Sequence, residues 1–161
     1  MIFVKSHRLQ HGLALALLFT ASAPAIADGP FQFFPITPCR VVDTRNQNGT
    51  NAGPAITANQ TRKFRIQGNC GIPVGAKAVS LNITVVSPGS AGWLGVYPVT
   101  GFSGTSTINF DTGEFAIANG AIVPVSPVSV AADMDSSAFW GNYAGTAPQT
   151  HLVLDVTGYF Q

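Results

Sequence analysis

Charge is what this chain has least of: only 9% of its residues are Asp, Glu, Lys or Arg. Beyond residue 27 there are six basic side chains (Arg40, Arg45, Arg62, Lys63, Arg65, Lys77) against seven acidic ones. So near-neutral a surface has no electrostatic footprint for nucleic acid or for an anionic membrane. The one basic cluster, Arg62, Lys63 and Arg65, reads as the solvated face of a strand. Histidine is nearly absent from the same stretch, where His151 stands alone, so no His cluster with metal-ligand spacing exists. A G-x-S-x-G elbow and a glycine-rich phosphate loop are missing as well. No segment after Ala27 repeats apolar residues at helical spacing behind a capping signal. No apolar run reaches the roughly 20 residues of a membrane-spanning helix. These absences leave a non-helical, weakly charged chain whose chemistry, if any, must come from a few side chains.

The first 27 residues read as a secretory signal peptide. Lys5 and Arg8 precede an apolar run over 12–19, and Ala25-Ile26-Ala27 is a small-x-small cleavage site. No cysteine follows that site, which argues against a lipid anchor. The expected product is one domain, 28–161, exported to the extracellular space or cell surface, with the periplasm as the other compartment. Cys39 and Cys70, both within it, are expected to form a disulfide, as an even count favours in an exported protein.

What the chain has in quantity is short apolar alternation punctuated by Gly and Pro. The strongest strand is expected over 76–86, with Val79, Leu81, Ile83 and Val85 on one face. The last is expected over 151–160, with Leu152, Leu154 and Val156 on one face. Others are expected at 39–44, 61–67, 92–96, 106–110, 122–125, 128–132 and 137–143. A long surface loop is expected over 46–58, and an irregular aromatic strand over 31–34, closed by Pro35 and Pro38. Eight or nine short strands indicate an all-β sandwich, jelly-roll or immunoglobulin-like. An eight-stranded outer-membrane barrel is disfavoured because prolines interrupt most of the strands.

Polar residues concentrate around Pro38-Cys39-Arg40-Val41-Val42-Asp43-Thr44-Arg45. Alternation places Asp43 and Arg45 on one face of a strand and Arg40 on the other. Pairing of the first strand with the last would bring Asp155 to Arg45. Such a group either grips a ligand or locks the two ends of the chain together as a structural polar network of Arg40, Asp43, Arg45 and Asp155. The second reading is preferred, because the planar guanidinium fork suits it. Asp111 and Glu114 flank Thr112-Gly113, and paired carboxylates are the tools of glycoside hydrolysis. At a hairpin tip they read as an exposed turn. The loop from Asp133 to Ser137 has oxygen ligands but not the glycine and terminal glutamate of an EF-hand, so no metal or cofactor is expected. Trp93, Tyr97 and Trp140 are candidates for stacking on sugar rings, with sheet packing as the plainer explanation.

Several stretches resemble an uncharacterised family of small secreted bacterial all-β domains. They are FFPITPCRVVDTR (33–45), GIP followed by AKAVSLNIT (71–84), GWLGVYP (92–98), STINF (106–110), Ala118-Asn119 with Ile122-Val123-Pro124, and HLVLDVTGYF (151–160). PCRVVDTR near the start and DVTGYF at the end are the most specific marks. The resemblance implies an all-β module of exported proteins and carries no catalytic residue set onto this chain. The expectation is therefore a secreted, non-enzymatic structural or adhesive protein that binds itself, a surface or a glycan. Its 46% hydrophobic composition suits self-association. A carbohydrate-binding module is the alternative, and a glycoside hydrolase using Asp111 and Glu114 a distant third.

Overall fold

The computed structural model describes residues 29–99, 104–127, 136–141 and 147–161, the side chains of 136–141 excepted. The expected signal peptide and the expected strand over 128–132 lie outside the described residues. Within them the chain is all-β. Its elements are β1 (Phe33–Asp43), β2 (Ile56–Thr57), β3 (Gln60–Phe64), β4 (Ala78–Val86), β5 (Gly92–Tyr97), β6 (Ile108–Phe110), β7 (Ala116–Pro124), β8 (Ser136–Gly141) and β9 (Gln149–Phe160). No helix among the described residues is long and apolar enough to cross a membrane.

The period-two patterns of β4 and β9 decide the packing. Val79, Leu81, Ile83 and Val85 point inward from β4, and Leu152, Leu154 and Val156 from β9; all are fully or almost fully buried. Phe64, Leu94, Val96, Ile108 and Phe110 meet them from the opposite sheet. Burying each such side chain stabilises the fold by about 1.5–3 kcal/mol.

Two sheets result, ordered β1-β9-β4-β7, with β2 beside β9, and β3-β8-β5-β6. Leaving aside the two-residue β2, each strand pairs with its counterpart from the other end of the chain. β1 pairs with β9, β3 with β8, β4 with β7 and β5 with β6, all antiparallel. That is one long two-stranded ribbon, doubled back between β5 and β6. The β4–β9 and β5–β8 pairings roll it into a sandwich. The order is that of a jelly roll and differs from the ABED and CFG sheets of an immunoglobulin domain.

Three expectations about the strands change. β1 runs through Pro35 and Pro38 as one strand, which it can do because it lies at a sheet edge, where a missing N–H costs no ladder bond. Its start at 33–35 pairs with 158–160 of β9. β7 begins at Ala116, six residues before the strand expected at 122. Of the strand expected over 61–67, β3 ends at Phe64, and Gln67 beyond it is buried, its side-chain oxygen accepting from Gly75 N (2.6 Å) and its Nε2 donating to Ser126 O (2.8 Å).

Candidate functional site

The polar cluster forms on the outer face of the β1-β9-β4-β7 sheet. One residue decides its membership. Register runs Arg40 opposite Asp155, then Val42 opposite Leu154, then Asp43 opposite Val153. Val41 is therefore an extra residue on β1, a bulge, and it reverses the alternation beyond it. Arg40 and Asp43 consequently share a face, which corrects the expectation that they face apart. Asp155 meets Arg40 rather than Arg45.

The contacts form a chain of alternating charge. Arg40 Nε donates to Asp155 Oδ1 (2.8 Å) and Nη2 to Oδ2 (3.2 Å). Arg40 Nη1 lies 3.5 Å from Asp43 Oδ2. Arg45 closes the chain on Asp43 with Nε to Oδ1 (2.8 Å), Nη2 to Oδ2 (2.7 Å) and its own backbone N–H to Oδ1 (3.1 Å). The Arg45 fork holds the Asp43 carboxyl down at about 2, against the burial that opposes ionisation. Hydrogen bonding to Asp155 raises the Arg40 guanidinium above its ordinary value. Two cations and two anions satisfy one another, and both carboxylates are engaged in fork-to-fork pairs. Chemically the arrangement is a staple across strands 115 residues apart.

Beside the staple, β1 and the turn after β3 are joined by the Cys39–Cys70 disulfide, with Cα atoms 5.8 Å apart. Next along β1, Phe33 meets Phe160 with the rings tilted at 48° and Phe34 stacks on Tyr159, with ring centroids 5.1 and 5.2 Å apart. The Phe33 ring lies directly over Gly158, where an added Cβ would come within 2.4 Å of it. A shallow depression lined by Pro38, Arg40, Asn82, Asp155 and Thr157 continues onto one lined by Ser80, Asn82, Gly120 and Ile122. Both are open to solvent, and Ser80 Oγ and Thr157 Oγ1 already bond each other at 2.9 Å.

Two of the sugar-stacking candidates, Trp93 and Tyr97, share one face of β5. Trp93 and Tyr97 are partly buried on the outer side of the other sheet, alternating with buried Leu94 and Val96. Tyr97 Oη bonds Thr61 Oγ1 at 3.1 Å. Trp93 borders a shallow depression with Gly104, Ser106 and Asn109. Trp140 stands opposite Leu94 in the β5–β8 register, and its side chain lies outside the described residues.

Asp111 and Glu114 both turn their carboxylates onto their own turn, accepting from Thr112 N (2.7 Å) and Asp111 N (3.1 Å). Asp133 to Asp135 lie outside the described residues. Among the described residues no three His, Cys, Asp or Glu side chains gather to hold a metal ion. His151 Nδ1 sits 3.0 Å from Thr44 O and 3.3 Å from Thr44 Oγ1, at the base of the staple.

Sequence reasoning missed Arg62. Rather than a solvated strand charge, it is a clasp: its guanidinium donates to the carbonyls of Gly49 (3.0 Å), Gly53 (2.6 Å), Ala52 and Pro54, and lies over the Phe64 ring. Burial lowers its pKa. Asn51 helps from within the loop, pairing its side-chain amide with the backbone N–H and C=O of Arg65. The only advance signal was a Gly- and Asn-rich loop followed closely by arginine, which is too common to single out.

No protein family pattern matches the chain, and no curated protein matches it.

Proposed function

We propose that the protein is a secreted, non-enzymatic jelly-roll domain with a structural or adhesive role outside the cell, a matrix, filament or cell-surface component that associates with itself. The observation that carries this reading is how the chain uses its few reactive groups. Arg40, Asp43, Arg45 and Asp155 are consumed in a staple, Arg62 in a loop clasp, Asp111 and Glu114 in their own turn, and both cysteines in a disulfide. Seven of the ten charged side chains in the described residues are thus turned inward on the fold, as suits a module working in an oxidising compartment. The likeness of its first and last strands to small secreted bacterial domains supports the same compartment. Light scattering and negative-stain imaging of the purified, oxidised protein test this. Defined assemblies are expected, and a monomer at every concentration would overturn the reading.

A carbohydrate-binding module is the second reading, favoured by Trp93 beside the polar depression at Ser106 and Asn109. It requires retention on a polysaccharide column that Trp93→Ala abolishes while leaving the thermal transition in place.

A further inference from the structure

Among the described residues four strands end the two sheets: β1 and β7 in one, β3 and β6 in the other. Natural sheets blunt such edges with proline, charge or brevity, because a bare edge is a template for another strand. Three of the four are blunted here. β1 carries Pro35, Pro38 and Arg40; β3 carries Arg62 and Lys63; β6 is three residues long. β7 differs on every count. It has nine residues, AIANGAIVP, with no charged side chain and proline only at the last position. One edge pairs with β4 along its whole length, and no strand among the described residues pairs with the other. Ile122 on the strand is 64% exposed and Phe115 just before it 84% exposed.

The geometry points to β7 as a self-docking edge. We propose that two copies of this chain pair β7 against β7, antiparallel, joining their sheets into one continuous sheet. The inference rests on the self-associating reading above and names its surface. Main-chain pairing supplies the affinity in such strand addition, and side chains set the register. A twofold axis at Gly120 lays Ile122 of one copy against Ala118 of the other, an apolar contact, and Ala116 against Pro124. Because β7 carries no charge, no like charges meet, whereas β3 laid on itself would confront Arg62 and Lys63 with their copies. The outer face at the middle of the strand is open as well, since an added Cβ at Gly120 would touch nothing within 4 Å. Asn119 Nδ2 donates to Thr107 O at 2.7 Å, which anchors β7 to the body of its own copy.

The test compares the oxidised protein with the double variant Ala118→Lys, Ile122→Lys by sedimentation across a wide concentration range, with hydrogen exchange on the same samples. Both positions are exposed on the outer face, so the variant keeps its fold, which an unchanged melting curve verifies. The wild type is expected to form dimers as concentration rises, with alternate β7 amides gaining protection as it does. The variant sets lysines opposite one another and is expected to weaken the dimer at least tenfold. Val74→Lys, at another exposed apolar residue, leaves it intact. Assemblies that persist in the double variant, with β7 amides exchanging equally in monomer and assembly, would place the interface elsewhere and spare the structural reading. A monomer at all concentrations overturns both.

Discussion

Along β1, one margin of the larger sheet, the chain concentrates its disulfide, three ion pairs and two aromatic pairs. Along β7, the opposite margin, it places alanine, glycine, asparagine and exposed isoleucine, with no charge at all. Both are edge strands of about the same length, paired antiparallel to a central strand. The difference lies in what each edge must resist. β1 brings the first strand of the fold to the last, a closure of over a hundred residues whose entropic cost is the largest in the chain. β7 follows its sheet partner through a shorter connection and faces no such demand. The contrast shows where side-chain chemistry is needed to hold the roll shut and where it is free to be left off.

The largest test of that contrast removes the crosslink. Replacing both Cys39 and Cys70 by serine frees a segment of 31 residues and is expected to cost about 3–4 kcal/mol, read as a lowered denaturation midpoint. A change below about 1 kcal/mol would mean that the staple and aromatic pairs hold β1 without it. Next in size is Gly158→Ala. A methyl there would come within 2.4 Å of the Phe33 ring and 2.8 Å of Phe34 O, so β1 must lift from β9. Overpacking of this kind costs about 1–3 kcal/mol. Phe33→Ala in the same background should recover part of it, because the ring is the nearer obstacle.

How far these features could be read in advance follows from their physics. The alternation of Val79, Leu81, Ile83 and Val85, and of Leu152, Leu154 and Val156, is fixed by one buried face, so both strands were legible. The pairing of the first strand with the last followed from the polar residues they carry, and the disulfide from cysteine parity. Register was not legible, because one inserted residue at Val41 leaves no mark in composition yet exchanges the partners of Asp155. The first half of β7 escaped for another reason. Ala116, Ala118, Asn119 and Gly120 have low strand propensity, and only their pairing with β4 makes them a strand. The jelly-roll order, as against an immunoglobulin order, is a property of pairings between distant strands and has no local signature.

The staple also makes the β1 margin acid-sensitive. Asp43 titrates at about 2 in the folded protein against an ordinary value of 3.8. The folded state thus binds its proton more weakly than the unfolded chain does. The resulting stability is complete above the unfolded value and is lost as pH falls from about 4 to 2. The shift corresponds to at most about 2.5 kcal/mol, and nearer 1 kcal/mol once solvent screening of the half-exposed Arg45 and Arg40 is counted. Chemical denaturation at pH 5 and pH 2.5 checks this. Asp43→Asn should be less stable than wild type at pH 5 and should remove most of the difference between the two pH values.

The smallest expected effect is on the bare margin, and it is the one that ties the comparison to a single substitution. Gly120 and Gly158 are both strand glycines on the same sheet face, the first beside open solvent and the second beneath Phe33. Gly120→Ala adds a methyl that touches nothing and narrows the unfolded chain's freedom, so monomer stability should stay level or rise by about 0.5 kcal/mol. The same change at Gly158 is expected to lower it severalfold more. Equal effects at the two sites, measured at concentrations low enough to hold the protein monomeric, would mean that the margins differ in composition alone. Unequal effects of opposite sign would mean that β1 is packed tight as a closure while the outer face over β7 is left open.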